Sequence, residues 1–341
     1  MLNLVEAKCF LKFILFKDNL LLYLYMICNK LISKLLKNSN YKYYPKEFKD
    51  TLDNTNLVQE IELHNKVDIV NEEATEKIFL ASETCLLSPK INWTKDFNDY
   101  EDYEALHRFR WLRYKMSAKE KLSKGEIQFS NDVLASWYNY NFIDNKINEQ
   151  DLAWCSHTIS ERISNILLFR RLYEEGSNDF IDKLLSENAR LLLNKLEIFE
   201  SGYGNHLINN ARSLLTYSIE YKNTELEKFS FRLLKYSLDK FIHNDYSIDY
   251  SSHYQLLLLF WLNDIYRISE LHNKDIYCNY LSKYIIRLKV TTLNFYLLET
   301  KQFIFIGDIS PDYPPAYLLP LIDDDYDQQS ECSYEFFYDK L

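Results

Sequence analysis

Two stretches of the 341-residue chain gather side chains that could do chemistry. The first is SGYGNHLINNARSLL, residues 201–215, where two glycines flank Tyr203 just before a helix start. Asn205, His206, Asn209 and Asn210 crowd the first turn, where free backbone N–H groups and the helix dipole favour an anion such as a carboxylate. His206 could supply a proton-transfer group beside it. A polar helix cap with a surface histidine uses the same residues, and spacing leaves both readings open. The second stretch is HNDYSIDYSSHYQLLLLFW, residues 243–261, in which polar residues run directly into an apolar helix. This delivers Ser251, His253 and Tyr254 to the mouth of a buried helix. A tyrosine there could serve as acid or base if neighbouring positive charge lowered its pKa from about 10. An N-capping Ser251 with partly buried aromatics is the plainer alternative.

Further candidates are thinner. LHRFRWLRY (106–114) sets Arg108, Arg110 and Arg113 among aromatics, which suits either an acidic sugar or a solvated helix end. WCSHTISERISN (154–165) offers Trp154, a capping box from Ser160 or Thr158 with Glu161 nearby, and Arg162 on the helix. No GxSxG, Walker loop, HExxH or GxGxxG occurs, so hydrolase-triad, nucleotide-binding and zinc-protease chemistry lack support. The six cysteines are scattered without CxxC, which argues against a metal site or a disulfide framework. No metal and no cofactor are expected.

The elements that must position these residues are helices. Only 5 Gly and 6 Pro are present, too few for the frequent tight turns of sandwiches, barrels and Rossmann folds. Apolar spacing predicts helices over 128–143, 158–174, 178–200, 206–222, 224–241, 252–272 and 275–298. In 207–221, Leu207, Ile208, Ala211, Leu214, Leu215 and Ser218 fall on one stripe. The run 256–262, LLLLFWL, is apolar all round and predicts burial on every side. Short polar joints such as EEGSND and EYKNTE imply antiparallel neighbours. The expected fold is all-α, an incomplete (α/α) toroid of helical hairpins with a short extended tail.

Flanking regions differ. Residues 10–27 are apolar, but Lys12, Lys17 and Asp18 interrupt them and no cleavage site follows, so a buried or interfacial helix fits better than a membrane span. Residues 46–95 alternate briefly at Ile61, Leu63, Val67 and Ile69, as a strand or an extended arm would. The tail QFIFIGDISPDYPPAYLLPLIDDDYDQQS predicts a short strand, a Pro-rich extended segment and a solvated acidic run at Asp323–Asp325. Expected boundaries are 1–95 for an N-terminal helical and irregular segment, 96–300 for the toroid and 301–341 for the tail.

Composition narrows the partners. A net charge of −10 disfavours generic nucleic-acid binding, although a local basic cleft remains possible. The 28 Tyr, 21 Phe and 5 Trp would suit an aromatic-lined sugar cleft, and a coding bias would produce the same excess.

Taken together, these segments resemble the helical domain of the heparinase II/III family of polysaccharide lyases. LHRFRWL (106–112), Trp154 with ISERISN (159–165), GNHLINNARSLL (204–215), YSIDYSSHYQLLLL (246–259) and GDISPDYPP (307–315) occur in the family's order, over about residues 95–320. The resemblance implies β-elimination on a uronic-acid glycan such as a glycosaminoglycan. Asn205 and His206 would lie beside the substrate carboxylate, and Tyr254 would be the catalytic tyrosine. Arg110, Trp154, Arg162, Asn209, Asp249 and His253 would contact substrate. Two departures stand out: Gln255 replaces the histidine that usually follows the tyrosine, and the chain stops at Leu341 where the family continues into a β-sandwich. A separate β-sandwich polypeptide is therefore an expected partner, and a non-catalytic helical scaffold that binds glycan or protein is the alternative. Localisation, periplasmic or cytoplasmic, is left open by the absence of a clean signal peptide.

Overall fold

The computed structural model of the chain describes residues 57–58, 61, 66–119, 121–144, 151–173, 178–198, 204–297, 299–309, 313 and 318–322. The apolar stretch 10–27, the acidic run Asp323–Asp325 and Cys9, Cys28 and Cys332 lie outside them. The chain forms two compact units, residues 1–55 with 198–202, and residues 56–197 with 203–341. Of the first unit only Ile198 is described, and all the described helices and strands belong to the second.

The described part is mostly helical, as the scarcity of turn residues requires. In chain order it contains a hairpin of β1 (Glu76–Phe79) and β2 (Thr84–Leu87), then α1 (Tyr100–His107), α2 (Arg110–Ser117) and α3 (Lys124–Tyr138). Next come α4 (Ser156–Tyr173), α5 (Asp179–Asn194), α6 (Asn205–Glu220), α7 (Thr224–Phe241), α8 (Ser252–Leu271) and α9 (Asp275–Thr292). Small two-residue ladders pair Ile242–His243 with Tyr246–Ser247, and Tyr296–Leu297 with Gln302–Phe303.

Local chemistry sets the helix starts. Ser123 and Glu126 form a reciprocal capping box on α3, and Asn178 caps α5 by accepting from the Ile181 N–H at 3.2 Å. Asn223 does the same for α7 with Leu226 at 3.1 Å, after a left-handed Lys222 ends the α6–α7 joint. Each cap satisfies an N–H that the helix cannot pair itself.

Helix α6 is the hub, packed against α4, α7 and α8. It is more buried than its apolar stripe predicts: every residue from Leu207 to Ile219 is buried, including Asn209, Asn210, Arg212, Ser213 and Thr216. A helix enclosed on all sides must pair its polar side chains internally. Thus the Asn210 amide donates to the Ser160 hydroxyl at 2.8 Å, and Ser213 donates to the Ser160 carbonyl at 2.8 Å. The run 256–262 of α8 is buried on every face, as its composition demands. Helix α9, by contrast, buries only Leu281, Leu288 and Thr292.

The stretch 46–95 holds both of the forms expected for it, while two other local expectations are corrected. Residues 66–70 are the extended arm; Val67 exchanges 2.8 Å hydrogen bonds with the Asn139 side chain, and Val70 donates to Asp132 at 2.9 Å. The strands come later, at β1 and β2, where buried Asp102 accepts from the turn N–H groups of Ala81, Ser82 and Glu83 at 2.7–3.1 Å. Ser160 and Glu161 form no capping box, because α4 begins at Ser156 and both lie inside it. Residues 106–114 are not a solvated helix end: Arg108, Arg110 and Arg113 are at most 5% exposed.

Candidate functional site

The starts of α6 and α8 supply the candidate side chains. Gly204 caps α6, so Asn205 and His206 occupy its first turn. Ser251 caps α8 by accepting from the Tyr254 N–H at 3.1 Å, which fixes Tyr254 on that helix's first turn. The segment between them in sequence, through Asp249, closes the gap. Asn205 and His206 both act on the Asp249 carboxyl, opposing the upward effect of its burial. Asp249 in turn acts on the Tyr254 phenol. Two stretches some fifty residues apart therefore share one carboxylate.

His206 is the accessible member, with 47% of its side chain exposed. Its Nδ1–H donates to Glu197 at 3.0 Å, leaving Nε2 as the free nitrogen. Glu197 is itself held by the Ser156 hydroxyl. Below His206 lies His157, a residue not singled out from sequence, with ring centroids 4.7 Å apart. The Asn209 amide donates to His157 Nδ1 at 3.2 Å, and Trp261 lies 6.0 Å beyond. Burial, then the charges of His206, Arg108, Arg212 and Arg110, hold His157 well below the ordinary histidine range, so it is a neutral imidazole.

Tyr254 departs from expectation. Its pKa is raised, first by burial and then by Asp308, Asp249 and Glu101, with Arg108 opposing weakly. The surrounding charge is negative, so the phenol keeps its proton and can only donate it. Arg108 is itself consumed, pairing with Glu101 at 3.1 Å and Glu104 at 2.8 Å. Asp249 is also raised: burial leads, His206 and Asn205 oppose it, and Asp308 adds to it.

The remaining expected contact residues lie deeper. Arg162 is fully buried, donating to the His107 carbonyl at 2.7 Å and to Asn188 at 2.8 Å, with its guanidinium 4.2 Å from the Trp137 ring centroid. Trp154 packs on Trp137 and beside Arg162. Arg110 stacks on Tyr313 at 3.3 Å and donates to Tyr114 at 2.7 Å. His253 is buried and donates from Nε2 to the Tyr313 carbonyl at 2.8 Å. These four side chains join the core and cannot meet a ligand at the mouth. All five tryptophans are at most 3% exposed, so none of them lines an open cleft.

Behind the site sits an ionic core. Glu161 and Arg212, both fully buried, pair at 3.0 Å, and the Tyr313 hydroxyl donates to the other Glu161 oxygen. Burial opposes ionisation of Glu161, but Arg212, Arg110, the Tyr313 hydroxyl and Arg113 outweigh it and hold the carboxyl below its usual range. The segment carrying Tyr313 also straps the α8 start: Ser252 N–H donates to the Ile306 carbonyl at 3.0 Å and its hydroxyl to Ile304 at 2.8 Å. Gly307 makes this possible, since it has φ of +82° and a Cβ there would lie 2.7 Å from the Tyr250 carbonyl oxygen. The strap sets Asp308 beside Tyr254.

Among the described residues no cluster of three or more metal-ligating side chains occurs, and no helix is long and apolar enough to cross a membrane.

No protein-family model matches the chain, and no curated protein matches its sequence. Among solved structures it is similar to heparinase III, with a TM-score of 0.50 at 15% identity, covering 74% of this chain and 45% of that one. The heparan sulfate lyase HepC from Pedobacter heparinus aligns at a TM-score of 0.46 and 14% identity, covering 76% of this chain and 40% of that one. The chain thus spans less than half the length of either structure. Likeness at this identity establishes architecture and leaves the chemistry to be argued from the residues: the fold is the α/α toroid type found in heparinase III.

Proposed function

We propose that the chain is a polysaccharide lyase-like protein that acts on a uronic-acid-containing glycan by β-elimination. The observation supporting this most is the convergence of Asn205, His206 and Tyr254 on Asp249. In this reading the uronate carboxylate sits at the α6 N-terminus beside Asn205 and His206. His206 Nε2, the nitrogen not engaged by Glu197, takes the C5 proton. The electron pair moves into the carboxylate as an enolate, which the helix N-terminus and the Asn205 amide stabilise. The pair then forms the C4–C5 double bond while the C4–O bond breaks. Tyr254, kept protonated by its carboxylate neighbours, gives its proton to the departing oxygen. Asn209 holds His157 beneath His206 and keeps the base in place.

A separate β-sandwich polypeptide would complete the site in this reading. The experiment is new absorbance from unsaturated uronate on a panel of acidic glycans, with and without a supplied β-domain. Silence throughout overturns the enzymatic reading. A second reading, a helical scaffold that binds glycan without cleaving it, draws on Asn205 acting on Asp249, which ties the amide to a protein carboxylate as well as to a substrate. Glycan binding unaffected by Tyr254→Phe, without turnover, would favour it.

A further inference from the structure

Away from the mouth, β1, α2 and the first turn of α3 meet around a separate pocket of about 170 Å³. None of its lining residues belongs to the mouth. Its floor is one face of α2: Trp111, Tyr114, Lys115 and Ala118 follow one another at helical spacing, so their side chains share a side of the helix. Strand β1 adds Glu76 and Phe79 to the walls.

Two donors at this floor are under-used. The indole N–H of Trp111, a residue 2% exposed, has no acceptor among the described residues. A buried donor left unpaired is costly, and an acceptor that reaches it is rewarded accordingly. Lys115, with 6% of its side chain exposed, carries three N–H donors. Its partners among the described residues are the Glu76 carboxylate and the Phe129 ring, whose centroid lies 4.5 Å away. Glu76 is 38% exposed, so it can turn out into water. The second ion pair of the lining is fixed by contrast. Glu126 accepts from the Ser123 N–H at 2.9 Å and its hydroxyl at 2.7 Å, and pairs with Lys119, so the α3 cap holds it. Counting Lys77 of β1, the lining carries three lysines against two glutamates, one positive charge in surplus on a chain of net charge −10.

We infer that this pocket binds a small aromatic monocarboxylate. The ligand carboxylate takes the place of Glu76 on Lys115 and accepts from the Trp111 N–H, which is otherwise sealed from solvent. The ring packs among Phe79, Tyr114 and Ala118. One negative charge matches the surplus of the lining, and the released Glu76 stays hydrated instead of being stranded in the interior. The volume suits a single ring, since a cavity of about 150 Å³ holds benzene. This site is independent of the uronate reading.

The test titrates benzoate into the full isotope-labelled chain and follows the five tryptophan indole N–H resonances. At millimolar benzoate one resonance moves, the one missing in Trp111→Phe, and it moves in the direction of a new hydrogen bond. Benzyl alcohol, of similar size without the charge, binds at least about tenfold more weakly, the scale of one charge-assisted hydrogen bond. Lys115→Met loses benzoate binding to a similar degree. Glu76→Gln tightens it about threefold by removing the competing carboxylate, and this partly exposed change reads the site even where Lys115→Met does not fold. Inorganic phosphate leaves the Trp111 resonance in place. Equal binding of benzyl alcohol or phosphate, an affinity in Glu76→Gln no better than wild type, or an unmoved Trp111 resonance overturns the inference.

Discussion

The ionic core around Glu161 and the mouth around Asp249 are built from the same residue types and behave oppositely. In the core, Glu161 meets Arg212 at 3.0 Å and the Tyr313 hydroxyl, and the positive surroundings hold the carboxyl ionised. At the mouth, burial raises the Asp249 carboxyl, His206 and Asn205 oppose it, and Asp308 adds to it, so the net shift is upward. The core consumes its charge internally and serves the fold. The mouth keeps polar groups facing solvent, which is where a ligand could complete them.

Substitutions can break this contrast. The largest effect is expected for Glu161→Gln, which leaves Arg212 without its buried counter-charge; the expected loss is about 3–5 kcal/mol, readable by urea unfolding. A loss under about 1 kcal/mol would mean that Asp264, 3.9 Å from Arg212, takes over. Next comes Tyr254→Phe, which, on the proposed lyase reading, lowers turnover by about a hundredfold or more while the urea midpoint stays put. Coincident loss of stability would assign Tyr254 to the core side of the comparison.

A third prediction uses pH. His107 is pushed down to about 3, by burial first and then by Arg162, against weaker upward pulls from the Trp93 carbonyl and Asp151. Its hydrogen bonds match a neutral ring: Nε2–H donates to the Trp93 carbonyl and Nδ1 accepts from the Trp137 indole, both at 3.0 Å. Because the unfolded chain binds a proton near 6.5 and the folded one does not, stability is intact above 6.5 and is lost as pH falls toward 3. The slope attributable to this residue is about 1.4 kcal/mol per pH unit, and a urea series in His107→Phe should lack it. The smallest effect is expected for Gly307→Ala, about 1 kcal/mol from a positive φ and a crowded Cβ. Faster amide exchange at the α8 start would show that the strap, and not the helix alone, holds Tyr254.

Helix existence was legible from apolar spacing because a 3.6-residue period survives without knowledge of the neighbours. So were the Ser251 cap and the buried 256–262 run, both of which depend on a few adjacent residues. Helices α1 and α2 were not delimited, since Phe109 breaks them with a left-handed backbone that no local residue type announces. His157 and Glu197 were passed over as site residues for a different cause. Each is unremarkable in its own segment and matters only because α4, α6 and the end of α5 meet.

The amino-acid order alone determined that this chain is a set of antiparallel helices with polar residues gathered at two helix starts, because caps, breakers and apolar periods act over a handful of residues. Tertiary structure alone decided which arginines are core and which carboxylates crowd the tyrosine. Those outcomes depend on burial and on charges brought together from distant segments, such as Asp308 against Tyr254 and Tyr313 against Glu161. The sign of a pKa shift is set by that three-dimensional neighbourhood, and no spacing along the chain carries it.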